Sequence, residues 1–139
     1  MALIKSLLAL LLGAFLLSAG ASHLGSNRTE FLAQVPTWLP LDPDFVVIAS
    51  GLVEITLGAL LIITALILKK YRGVIGLITA VFFILIFPGN INQYVNHLDA
   101  FGLDTDTKRF IRLLFQPPLV ALALWCSDGL RLLKKLKQI

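Results

Sequence analysis

The sequence predicts an all-α fold: a polytopic membrane four-helix bundle, one domain over residues 1–139, with both termini cytoplasmic. Three observations point there. Hydrophobic residues make up 58% of the chain and charged residues 14%, a balance too apolar for a water-soluble domain. Apolar runs near the length of about 20 residues that a bilayer requires recur at residues 2–22, 45–68, 73–94 and 109–130. The basic residues also segregate. Lys5, Lys69, Lys70, Arg72, Arg131, Lys134, Lys135 and Lys137 fall at one end of such a bundle, while Arg28, Lys108, Arg109 and Arg112 fall at the other among most of the acids. The positive-inside rule puts the first group, and both termini, in the cytoplasm, as expected for a bacterial inner (plasma) membrane. The net charge of +4 is then a topology signal. It implies a lipid bilayer as partner and no nucleic acid.

The first run carries Lys5 ahead of a hydrophobic stretch and the small residues Ser18-Ala19-Gly20-Ala21, features shared with a signal peptide. The run continues about 17 residues beyond Lys5, enough to cross the hydrocarbon with little tilt, and is read as a span. Gly13, Leu16, Gly20 and His23 share one of its faces, and the small residues there permit close helix contact. A loop with Pro36, Pro40 and Pro43 follows, in which Trp38 reads as an interfacial anchor. The second span has Ser50, Gly51 and Gly58 along a narrow side and a single charge, Glu54. The third contains Phe87-Pro88-Gly89-Asn90, which predicts a break, because proline removes a donor and clashes with the carbonyl of Ile84. The fourth is interrupted by Pro117-Pro118, with Asp106 or Thr107 as its expected cap. The tail Arg131–Lys137 interleaves leucines with cations and suits an anionic headgroup layer. Asp128 is expected to pair with Arg131 at i+3. The lone cysteine, Cys126, excludes an internal disulfide and a CxxC motif, and reads as a small buried apolar residue.

The polar residues inside the spans cluster in depth. At a rise of about 1.5 Å per residue, Glu54 lies roughly 13 Å, Arg112 about 5 Å and Gln116 about 11 Å below the outer boundary. His23 and Asn90 lie near the same boundary. Arg112 and Gln116 share a face at i, i+4, and Asn90, Gln93 and His97 share one at i, i+3, i+7. A central charge facing lipid costs about 2.5–3.5 kcal/mol on insertion scales, so both faces are expected to turn inward. Glu54 and Arg112 are the natural pair. One reading makes His23, Glu54, Asn90, Gln93, Arg112 and Gln116 the lining of a pocket for a small ligand with a polar head, such as a quinone. The other makes them glue, with a Glu54–Arg112 or Glu54–His23 bridge fixing helix register. His23, His97 and Glu54 are the only side chains suited to a metal, and their spacing forms no metal motif, so none is expected. No nucleophile has a base beside it, and there is no phosphate loop or cofactor fingerprint, which favours a non-catalytic subunit over an independent enzyme.

Several short motifs, in order, extend through all four spans: Gly20-Ala21-Ser22-His23, Phe31 with Pro36 and Leu39-Pro40, Ser50-Gly51-Leu52-Val53-Glu54 with Gly58, Phe87-Pro88-Gly89-Asn90-Ile91, and Arg112-Leu113-Leu114-Phe115-Gln116-Pro117. Together the chain resembles the DoxX-like family of small four-helix membrane proteins. The resemblance implies a four-helix bundle and an association with oxidoreduction, since founding members look like subunits of a thiosulfate:quinone oxidoreductase. The matched positions include His23, Glu54, Asn90, Arg112 and Gln116. Gly89 departs from the pattern, where relatives often have alanine. The expected function is a small membrane subunit of a redox complex whose outer-half pocket binds a quinone or similar ligand. The alternative is an accessory or assembly subunit that docks on a larger membrane complex with no ligand chemistry of its own. A solute carrier, working as a homo-oligomer, is a third class.

Overall fold

Two glycine pairs set the closest helix contact. The computed structural model describes residues 1–139. In it, helix α1 (Ala2–Leu24) is followed by the single turn α2 (Arg28–Phe31) and packs along α3 (Pro43–Leu66). A Cβ added at Gly13 would stand 2.7 Å from the Gly58 carbonyl oxygen, and one at Gly20 would stand 2.6 Å from that of Gly51. With no side chains between them, the two backbones meet at both places. This is the close approach that the small-residue face of the first span predicts.

Helix α4 (Arg72–Val95) and the pair α5 (Asp106–Leu114) and α6 (Gln116–Cys126) complete the bundle. α4 packs on α6 and more lightly on α3, and α6 also meets α1. Four spans are long and apolar enough to cross a membrane, so the chain is an integral membrane protein: Ala2–Leu24, Pro43–Leu66, Lys69–Val95 and Asp106–Cys126. The mid-bundle core is apolar, with Leu16, Leu61, Ala80, Phe83, Ala123 and the expected Cys126 at its centre. Large apolar residues such as Leu85 (70% exposed) and Phe15 (53%) point outward instead, as they do where the surroundings are lipid.

Helix ends follow from local chemistry. Asp42 caps α3 by accepting from the Phe45 N–H at 2.9 Å, and Pro43 sits in the first turn, where no donor is needed. α5 is capped by Thr105, whose hydroxyl accepts from the Lys108 N–H at 3.2 Å. This corrects the expected cap at Asp106 or Thr107 by one or two positions. The interruption expected at Pro117-Pro118 is present: the fourth span breaks at Phe115, leaving both prolines at the start of α6.

The break expected at Pro88 is absent. α4 runs unbroken from Arg72 to Val95. One missing N–H removes one ladder bond, and packing on both sides holds the helix through it. The Pro88-Gly89 pair does something else. A Cβ at Gly89 would overlap the carbonyl oxygen of Gln34, so glycine there lets the short helical segment Leu32–Gln34 lie directly on α4. Asn92 fastens the same segment, donating to the carbonyls of Ala33 (3.2 Å) and Val35 (3.3 Å).

At the end of the bundle that carries the termini, the fourth span stops at Cys126, short of Leu130. Asp128 takes a left-handed φ of 62° and turns the chain into the basic helix α7 (Gly129–Leu136). Asp128 pairs with Lys5 at 2.6 Å, where Arg131 was the expected partner. Lys5 also lies over the Trp125 ring, at 5.4 Å. Arg72 is buried, bonded to Ser6 Oγ at 3.1 Å and to the Cys126 carbonyl. Lys5 holds Asp128 below the ordinary carboxylate pKa range through that hydrogen bond.

Candidate functional site

The opposite, loop-bearing end of the bundle encloses a cavity of about 580 Å³. Its walls come from α1, α3, α4 and the α5–α6 pair. Its roof is the segment from Phe31 to Leu39, including Gln34, Val35 and Trp38. His23, Glu54, Arg112 and Gln116 all line it, beside Phe15, Phe83, Ile86 and Leu119. Four of the six expected site residues therefore meet in one space, although they are far apart in sequence.

His23 is held from behind. Its Nδ1 lies 3.0 Å from the Val47 carbonyl and 3.0 Å from Ser50 Oγ, and Ser50 also donates to the Val47 carbonyl. A carbonyl only accepts, so Nδ1 carries the hydrogen and a neutral His23 presents a bare Nε2. The imidazole is packed against Phe31, with ring centroids 3.4 Å apart. Its Nε2 stands 3.2 Å from Glu54 Oε2, and both residues are buried. Neither atom has a directed hydrogen bond. Two bare acceptors at that separation repel, so one proton belongs to the pair, on the carboxyl or on the imidazole.

Arg112 is half-buried. Glu54 and Arg112 share the cavity, yet Glu54 makes its ion-pair contact with His23, and Arg112 has no carboxylate within bridging distance. The expected direct Glu54–Arg112 pair is corrected accordingly. The glycine contacts draw α1 against α3, which brings His23 to Glu54, whereas Arg112 approaches from the break between α5 and α6. Its one hydrogen bond is a long one, 3.4 Å to Gln116 Oε1, and the guanidinium keeps unused donors. Gln116 is 2% exposed and donates to the Phe83 carbonyl at 2.7 Å.

Asn90 and Gln93 lie outside the lining. Asn90 is buried behind it and donates to Gln116 Oε1 at 3.3 Å. Gln93 is committed to the roof: its amide donates to the carbonyls of Leu98 and Ala100, and its oxygen accepts from Gln34 Nε2 at 3.1 Å. His97 leaves the face it was expected to share. α4 ends at Val95, His97 takes a φ of 53°, and its exposed ring meets Asp106 at 2.7 Å. Ser50, Gln34, Asn92 and the buried Arg109, which is bridged to Asp99 and Asp106, were not singled out as polar partners. Only Asn92, a third amide within four residues of Asn90, left a trace in the sequence.

No curated protein and no solved structure matches the chain. Residues 12–127, which include every wall of the cavity, match the family described as Domain of unknown function (DUF8561), and the chain belongs to that family.

Proposed function

We propose that this protein is a small integral membrane subunit working beside an oxidoreductase or redox complex, and that its polar cavity binds a quinone or similar small ligand. Both termini lie on the cytoplasmic side in this reading, because the exposed cations Lys69, Lys70, Lys134, Lys135 and Lys137 sit at the terminal end. The cavity then lies in the outer half of the bilayer. The observation that carries the reading is the donor set. Side chains of three helical segments turn into one space: the guanidinium of Arg112, with donors to spare, and the His23–Glu54 pair. A quinone carbonyl needs such donors, and its ring needs apolar walls, which Phe83, Ile86 and Leu119 supply. Ionisable groups within a membrane are costly and tend to mark function. The resemblance to DoxX-like proteins points toward the same chemistry.

The test is quinone quenching of Trp38, a roof residue on the cavity wall, measured in a Trp125→Phe background. Glu54→Gln and Arg112→Ala are expected to abolish saturable quenching while the protein stays folded. Binding equal to that of the parent in both variants would end this reading.

A second reading, a docking or assembly subunit with no ligand, is favoured by one feature: Asn90, Gln93 and Gln116 are all spent on internal hydrogen bonds. A stoichiometric partner retained in mild detergent, with no saturable quinone binding, would support it.

A further inference from the structure

We infer that the ligand is an amphiphile that enters and leaves through the side of the bundle, with its polar head at Arg112 and Glu54 and an apolar chain lying among lipid-facing residues of α1 and α4. This rests on the ligand-binding reading above and specifies the ligand class and its route. Two sets of observations carry it.

The roof is fastened down. Gln34 is bonded to Gln93, and Asn92 holds the carbonyls of Ala33 and Val35. Glu30 accepts from the Phe101 N–H at 2.7 Å, and the rings of Phe31 and Phe101 meet edge-on at 4.7 Å. Gly89 lets the Gln34 backbone lie flat on α4. Lifting the roof means breaking several of these bonds together.

The flank is different. α6 meets α1, but beyond the break at Phe115 the backbone of α5 does not approach α1. Phe15 and Ser18 of α1 and Leu85 of α4 line the cavity and are also exposed on the surface that faces lipid. The cavity is therefore continuous with the hydrocarbon. A water-soluble solute would have to cross lipid to reach it, whereas a membrane-dissolved molecule with a hydrogen-bond-accepting head and an apolar chain meets no barrier. Ser18 keeps the flank open, since a larger side chain at that point would stand in the mouth.

The test uses the full chain in lipid nanodiscs with a quinone whose alkyl chain carries a diazirine. After irradiation, the label is mapped by mass spectrometry with and without excess unlabelled quinone of the same chain length. Competed label on Phe15, Ser18 or Leu85 is the expected result. Competed label confined to the roof, at Thr37, Trp38 or Leu39, would overturn the lateral route while leaving quinone binding intact. No competed label anywhere would remove the ligand-binding reading and this inference with it. In the same nanodiscs, Ser18→Phe should slow the onset of Trp38 quenching by the chain-bearing quinone by about tenfold or more, and an unchanged onset would count against the mouth at Ser18.

Discussion

Gly51→Ala tests how the helix contact builds the site. A Cβ at position 51 would stand 2.6 Å from the Cβ of His23, about 0.8 Å inside the 3.4 Å lower bound of ordinary contact. His23 cannot swing away cheaply, because its Nδ1 is tied to Val47 and its ring lies on Phe31. The Gly20 carbonyl, 3.0 Å from the same Cβ, blocks the other direction. α1 must therefore separate from α3 near their loop end. If the displacement is transmitted in full, the His23–Glu54 distance grows from 3.2 Å to about 4 Å, beyond hydrogen-bonding range. Overpacking of this kind costs about 1–3 kcal/mol. Gly25→Ala is the control: its nearest neighbour would be 3.6 Å away, and an effect within about 0.5 kcal/mol is expected. Equilibrium unfolding in mixed micelles gives the stability, and Trp38 quenching gives the ligand affinity. Gly51→Ala should lose both. A variant as stable as the parent, with unchanged quenching, would refute the claim that the glycine contact sets the His23–Glu54 geometry.

Other perturbations have defined outcomes. Gln116→Leu removes the partner of the buried Asn90 amide and should destabilise the fold by about 1–3 kcal/mol in the same unfolding measurement. Asn92→Leu should loosen the roof by cutting its bonds to Ala33 and Val35, seen as faster proteolysis between residues 32 and 42 with the bundle intact. The Lys5–Asp128 bridge lowers the folded pKa of Asp128. Its stabilising effect is thus present above the unfolded carboxylate pKa and is lost as pH falls through the lower folded value. Protection of the α7 amides, corrected for the intrinsic exchange rate at each pH, should therefore fall only in acid, and Asp128→Asn should show the reduced protection already at neutral pH. Replacing Lys134, Lys135 and Lys137 together by Gln should weaken retention of anionic phospholipid through purification, read by lipid mass spectrometry.

The spans were legible because hydrocarbon demands long apolar runs, and Gly13, Gly20, Gly51 and Gly58 were legible as a packing face because helices meet closely only over small residues. Depth alone gathered His23, Glu54, Asn90, Arg112 and Gln116 in one half of the spans, and all of them but Asn90 line the cavity. Which of them touch could not be read from depth. The rotation of α1 against α3 decides that His23 takes Glu54, and rotation depends on the whole interface. Pro88 misled because local propensity argues for a break, whereas neighbours on both flanks keep α4 helical and Gly89 uses the site to seat the loop. Helical spacing puts Gln93 on the pocket face, yet the return of the loop over α4 draws its amide to Leu98 and Ala100. Asp128 lies 123 residues from Lys5, so their pairing depends on bundle closure and no local i+3 rule could supply it.

The most direct measurement is an experimental structure of the protein in lipid, soaked with a brominated quinone and examined for the bromine anomalous signal. The account predicts a peak inside the cavity, within reach of Arg112 and the His23–Glu54 pair. A peak elsewhere, or an empty cavity at saturating quinone with Trp38 unquenched, would contradict it.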